Sequence, residues 1–215
     1  MLLNKFKGKL ICLEGQDHCG KTTVGKLLNQ ALNDAGIKSI FTFQPGDPAY
    51  GSHAELIDKF CTKKEYPLDP LSNLFAFLLD RSEHTSKIVI PALKNGITVI
   101  SDRWWYSTIA YQFYGKQLLE KYFLDKKFAG WMNILASHYM QPDISFYFQR
   151  QQQLIDNDKN DESDQFETAD EAFKRRVKNA YLDMVNDKIF VKIDVSSDPN
   201  ETLQRVLNAD FYVDQ

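Results

Sequence analysis

A chain of 215 residues, 43% apolar and 26% charged, has ordinary globular composition: enough to bury one large α/β core, and too mixed for a disordered or fibrous protein. A formal net charge of −3, from 26 Lys+Arg against 29 Asp+Glu, lacks the basic excess of a dedicated nucleic-acid binder. Three cysteines (Cys12, Cys19, Cys61) without a C-x-x-C pair predict a reducing, cytoplasmic setting, and no run reaches the ~20 apolar residues of a membrane span.

The first residues, Met1 to Lys7, hold no apolar stretch long enough for a secretory signal. Leu10-Ile11-Cys12-Leu13-Glu14 is a continuous apolar run stopped by Gly15, which predicts a strand buried on both faces of a parallel sheet. Gly15-Gln16-Asp17-His18-Cys19-Gly20-Lys21-Thr22, followed by Thr23, then matches G-x-x-x-x-G-K-[ST] in full. That pattern arises by chance in about one chain in a hundred of this length. Between a buried strand and a helix it predicts a phosphate loop, with backbone N–H groups turned on phosphate oxygens at the positive end of the helix. Lys21 is then expected to neutralise the β- and γ-phosphates of ATP, and Thr22 to place a hydroxyl on Mg2+. Val24, Leu27, Leu28, Ala31, Leu32 and Ala35, three and four apart, predict the helix, which should end at Gly36.

Ser39-Ile40-Phe41-Thr42-Phe43 reads as a second strand, broken by Pro45-Gly46, and a long helix is expected over 71–93, ended by Asn95-Gly96. The third strand, 97–102, ends in Asp102 at the carboxyl edge of the sheet, where open α/β folds bind ligands. Asp102 is therefore a candidate for the Mg2+ shell, and Arg103 follows it directly. Further helices are expected from near Ser107 and over 118–137, then a strand over 144–148 after Pro142. The polar stretch 149–164 carries Asp156, Asp158, Asp161, Glu162 and Asp164 against only Arg150 and Lys159, and reads either as a solvated loop or as a short, mobile lid. A helix over 169–185, a strand over 190–194 and a last helix from about Asn200 complete the pattern. Alternation of this kind predicts a five-stranded parallel sheet with helices on both faces, in one domain over 1–215.

No N-K-x-D tetrapeptide occurs, which disfavours a regulatory GTPase, and the chain is short for a motor or a transporter ATPase. A small-molecule kinase remains. Several motifs together resemble the thymidylate kinase family. Leu13-Glu14-Gly15-Gln16-Asp17 with Gly20-Lys21-Thr22-Thr23 is similar to its F-E-G-x-D-x-x-G-K-T-T, and Leu74-Phe75-Ala76 through Asp80-Arg81 to its L-F-A-x-x-x-D-R. Asp102-Arg103-Trp104, Ser107-Thr108 and Ala110-Tyr111-Gln112 resemble D-R-Y-x-x-S-x-x-A-Y-Q; Asp164-Gln165-Phe166-Glu167 resembles D-R-F-E.

The resemblance implies a P-loop NTPase fold, a homodimer, and phosphoryl transfer from ATP to a deoxynucleoside monophosphate, normally dTMP. It assigns Phe77 to stack on the base, Arg81 to a base carbonyl, Thr108 and Gln112 to the base edge, and Tyr111 to the sugar, where it excludes a 2′-hydroxyl. Arg103 is expected on the acceptor phosphate, Asp17 on the sugar or metal-bound water, and Glu167 on a sugar or water network. Two departures stand out. The bacterial T-R-E-P-G-G-T becomes Thr42-Phe43-Gln44-Pro45-Gly46-Asp47-Pro48, and Gln165 replaces the arginine of D-R-F-E. Relatives without lid arginines carry a basic residue after the loop aspartate; here His18 stands there. Altered base specificity and a non-catalytic nucleotide-binding module are the alternatives.

Overall fold

In the computed structural model, which describes residues 6–149, 164–187 and 189–209, five strands form one parallel sheet in the order β2-β3-β1-β4-β5. They are β1 (Leu10–Glu14), β2 (Ser39–Phe43), β3 (Thr98–Asp102), β4 (Ile144–Gln149) and β5 (Val191–Asp194). The central strand explains its own composition. Ile11 and Leu13 face a cluster with Val24, Leu28, Phe146 and Leu203, whereas Leu10 and Cys12 face Val89, Leu93 and Trp104. With both faces covered, alternation disappears and the run is wholly apolar.

Parallel pairing needs crossovers, and nine α-helices among the described residues, with shorter 3-10 and π-type segments, supply them and their extensions. α1 (Lys21–Asp34) follows the phosphate loop; α2 (Ala54–Thr62), α3 (Pro70–His84) and α4 (Ile90–Lys94) lie between β2 and β3. α5 (Trp105–Thr108), α6 (Leu118–Lys121) and α7 (Lys126–Ala136) precede β4, α8 (Glu171–Asn186) precedes β5, and α9 (Pro199–Leu207) closes the chain. Leu13 pairs with Asp102, and Asp102 with Phe43, so the carboxyl ends of three neighbouring strands are level. The chain leaves β1 toward β2 on one side and later crosses to β4 on the other, so a crevice opens above β1.

The helix expected over 71–93 is interrupted by a π-type turn, Thr85–Val89, because Pro91 has no N–H to bond one turn back. The helix expected over 118–137 is two pieces, parted where Phe123 takes φ +54° and Asp125 caps α7 by accepting from Phe128 N at 2.6 Å. α2 was not expected, although its buried Ala54, Ile57 and Cys61 show helical spacing. The expected lid lies outside the described residues apart from its ends, Gln149 and Asp164.

Candidate functional site

The phosphate loop owes its shape to backbone that only certain residues tolerate. Gly15 has φ +147°, and a Cβ there would sit 2.8 Å from Phe148 O. Gly20, at φ +84°, turns the chain into α1 without a side-chain cap, so the first N–H groups of the helix are left for a ligand. Lys21 is only 5% exposed and folds back to donate to Gln16 O at 2.7 Å, with its ammonium 3.4 Å from Cys19 Sγ. Thr22 Oγ1 donates to Asp102 Oδ2, and the other oxygen, Oδ1, is buried with no hydrogen-bond partner among the described residues. His18, in the left-handed region at φ +58°, lies 3.2 Å from Glu167.

Behind the loop, Glu14 organises the segment after β3. Its carboxylate accepts from Trp104 N at 2.8 Å, Ser107 Oγ at 2.6 Å and Tyr181 OH at 3.1 Å. Burial raises its pKa, against those donors and the charge of Arg103. The clamp holds Arg103 at φ +70°, an unusual backbone for a non-glycine residue. From there Arg103 donates to Asp17 Oδ1, to Gly15 O at 3.0 Å and to Ser107 Oγ at 3.0 Å, with its guanidinium 5.1 Å from the Tyr111 ring centre. Tyr111 OH donates to Asp17 Oδ2 at 2.9 Å. Burial works against the Asp17 carboxylate, but Arg103 and Lys21 beside it hold its pKa below the usual value.

Two cavities meet at this cluster. One is a cleft of about 640 Å³ over the phosphate loop, reaching to Val195, Ser196 and Pro199 after β5. The other is smaller, about 140 Å³, and is walled by Phe77, Arg81, Trp104, Thr108, Tyr111 and Gln112 among others. In the smaller cavity Arg81 donates to Gln44 Oε1, to Trp104 O at 3.1 Å and to Thr108 Oγ1 at 2.7 Å. Both amide atoms of the fully buried Gln112 lack a partner among the described residues.

Of the residues expected to bind the acceptor, Phe77, Arg81, Arg103, Thr108, Tyr111 and Gln112 line the small cavity. Glu167 does not; it faces the cleft beside His18. Gln16 turns its side chain toward Lys174 O of α8, at 3.5 Å. Gln165 turns away from both cavities, donating to Cys61 O at 2.7 Å and accepting from Lys116 at 2.9 Å. Sequence reasoning missed Glu14, Trp104, Phe166 and the Val195–Pro199 wall. Glu14 carried a signal, an acid ending an otherwise apolar strand; the wall after β5 carried none.

The sequence model described as Thymidylate kinase matches residues 13–206. The thymidylate kinase of Chlorobium limicola is 32% identical over 212 residues, covering 92% of this chain and 92% of its own. The crystal structure of thymidylate kinase from Ehrlichia chaffeensis superposes with a TM-score of 0.72 at 27% identity, over 93% of this chain and 97% of that one. The Candida albicans thymidylate kinase structure, at 21% identity, speaks for the fold alone, with a TM-score of 0.70 over 93% of this chain and 89% of that one. The match thus runs from the strand before the phosphate loop to the last helix, and the chain belongs to the thymidylate kinase family, with its P-loop NTPase fold.

Proposed function

We propose that this chain, as a single kinase domain, transfers the γ-phosphoryl group of ATP to dTMP, giving dTDP. One observation carries the reading: among the described residues, Asp17 and Arg103 alone line both cavities. A triphosphate over the loop and a monophosphate in the small cavity would therefore meet at one guanidinium. The attacking group is a phosphate oxygen, largely ionised at neutral pH, so no general base is required. Catalysis then consists of alignment and charge neutralisation.

Lys21 would leave Gln16 O for the β- and γ-phosphates, and the N–H groups from Gly20 onward would cradle their oxygens. Arg103 would hold the acceptor phosphate while Asp17 fixes its orientation. His18 faces the same cleft and would add a donor near the γ-phosphate. Phe77 would stack on the base, Arg81 and Gln112 would meet its carbonyl and N–H edge, and Tyr111 would close the space of a 2′-hydroxyl. Mg2+ fits Thr22 and Asp102, whose orphaned Oδ1 is a buried acceptor at the cleft. Mg2+ commonly takes one or two protein oxygens and completes its shell with phosphates and water. When bound, Mg2+ offsets charge on the phosphate oxygens.

A homodimer is supported by an unpartnered apolar face. Phe75 and Leu79 on α3, and Trp131 and Leu135 on α7, are each 48–55% exposed at i, i+4 spacing on two helices that pack together. The three cysteines are free and buried, which fits a reducing, cytoplasmic setting, and no described helix is long and apolar enough to cross a membrane. A coupled ADP-release assay over the four deoxynucleoside monophosphates tests the reading. The highest kcat/KM is expected with dTMP; absence of turnover with all four overturns it.

A further inference from the structure

Among the described residues, Arg81 is held without a carboxylate. Its acceptors are Gln44 Oε1, Trp104 O and Thr108 Oγ1, its guanidinium lies 5.3 Å from the Trp104 ring centre, and its Nε is buried with no partner among the described residues. Gln44 stands where the bacterial T-R-E-P motif has an acid. An acid can only accept from Arg81, whereas an amide can also donate, and Gln44 Nε2 lies 2.7 Å from His84 Nδ1. His84 Nε2 in turn lies 2.5 Å from Thr42 Oγ1, which is 2.5 Å from Asp47 Oδ2. Asp47 Oδ1 accepts from Ala49 N at 2.9 Å. All five side chains are at most 7% exposed.

The two ends set the direction of every bond between them. Arg81 can only donate, so Gln44 Oε1 accepts and its Nε2 must give. His84 Nδ1 accepts, which leaves the ring proton on Nε2, pointed at Thr42. The threonine hydroxyl then gives its proton to the Asp47 carboxylate. We propose that Gln44 and His84 are positioning residues that fix the rotation of Arg81, and through it the choice of acceptor base, by this one-way hydrogen-bond chain. The inference rests on the kinase reading above. Burial keeps the ring neutral, pushing its pKa down to about 3, with the charge of Asp47 opposing and that of Arg81 reinforcing.

The selectivity follows from donors and acceptors. A fixed guanidinium that lines the cavity and can only donate rewards a base that offers a carbonyl oxygen. A base with an exocyclic amine at that point sets donor against donor. A guanidinium free to rotate would lose that preference.

The test reads tautomer and selectivity separately. In the wild type, imidazole 15N shifts of His84 should be those of the neutral Nε2–H form. Gln44→Met and His84→Phe should each raise KM for dTMP ~10-fold with kcat nearly unchanged, and lower the dTMP-to-dCMP ratio of kcat/KM ~10-fold. Because the residues act in series, the double variant should lose no more than the more damaging single one. Gln44→Glu, nearly isosteric, covers the case in which the larger changes do not fold. It keeps the acceptor for Arg81 and removes the donor to His84, so the ring should leave the Nε2–H form and the ratio should fall. A wild-type ring protonated on Nδ1, additive losses, or an unchanged ratio overturns the proposal. A wild type inactive on dTMP overturns the kinase reading, and with it the selectivity; the tautomer measurement still decides the hydrogen-bond chain by itself.

Discussion

The two cavities are built in opposite ways. The cleft over the phosphate loop is floored by one run of consecutive residues, 17–24, to which Asp102, Arg103, Glu167 and the Val195–Pro199 wall are added. The smaller cavity is assembled from side chains delivered by separate segments: Gln44 after β2, Phe77 and Arg81 on α3, Thr108 and Tyr111 after β3, and Phe166 before α8. A phosphate is alike in every nucleotide, so one local backbone shape suffices to bind it. A base differs from the next base by one carbonyl or amine, and only placed side chains can tell them apart. The cleft should therefore fail in rate when altered, and the cavity in selectivity.

The largest effect is expected at the cleft. Lys21→Ala should lower kcat at least ~10²-fold with ATP still bound, because the ammonium compensates charge that develops in the transition state. Unchanged kcat would remove Lys21 from the reaction. Next, His18→Ala should cost ~10–100-fold in kcat with little change in KM for ATP, since among the described residues its Glu167-facing ring is the cleft's only basic side chain besides Lys21 and Arg103. Steady-state kinetics at saturating dTMP decides it, and near-wild-type turnover would move that role elsewhere.

In the acceptor cavity the expected loss is smaller and selective. The Tyr111 ring packs edge-on to Phe166 at 5.4 Å, while its hydroxyl donates to Asp17 at 2.9 Å, so ring and hydroxyl have separable tasks. Tyr111→Ala should relax the preference for dTMP over its ribonucleotide ~10-fold in kcat/KM. Tyr111→Phe should keep that preference and lose a few-fold in kcat, through Asp17. A ratio that survives removal of the ring would show that another group excludes the 2′-hydroxyl.

The same contrast explains what the sequence made legible. The strands and the phosphate loop are local: apolar run, glycine, lysine and hydroxyl follow one another, and the sheet places them as expected. Arg81, Thr108, Tyr111 and Gln112 could be named from family motifs, but their partners could not. That Gln44, the departure from the acid, still accepts from Arg81 depends on β2 and α3 meeting across the cavity. Gln165 looked like a lost lid arginine; its side chain is instead tied to Cys61 O and Lys116. Helix breaks at Thr85–Val89 and near Phe123 were hidden because apolar spacing continues through them while hydrogen bonding does not.

Under the cavity floor the expected effect is on stability alone. Asp80 is buried where it accepts from Tyr50 OH at 2.5 Å and Gly46 N at 2.7 Å. Burial outweighs those bonds and raises its pKa to about 6. The unfolded value is about 3.9, so between about pH 4 and 6 the folded chain keeps a proton that the unfolded chain releases. Stability from this group therefore falls as pH rises through that window. His84, pushed down to about 3 by burial, does the reverse. Below its unfolded value of about 6.5 the unfolded ring binds a proton that the folded ring refuses, so its contribution rises with pH. Over the shared window the two slopes oppose each other, each about 1.4 kcal/mol per pH unit at most. Asp80→Asn keeps an oxygen for Gly46 and Tyr50 but no longer titrates, so the opposing slope of His84 is left unbalanced. Urea unfolding at pH 4, 5 and 6 should show the variant gaining on the wild type by up to about 1.4 kcal/mol per unit as pH rises. A difference that stays constant across those three pH values would mean that Asp80 is ionised throughout in the folded chain, as it is in the unfolded one.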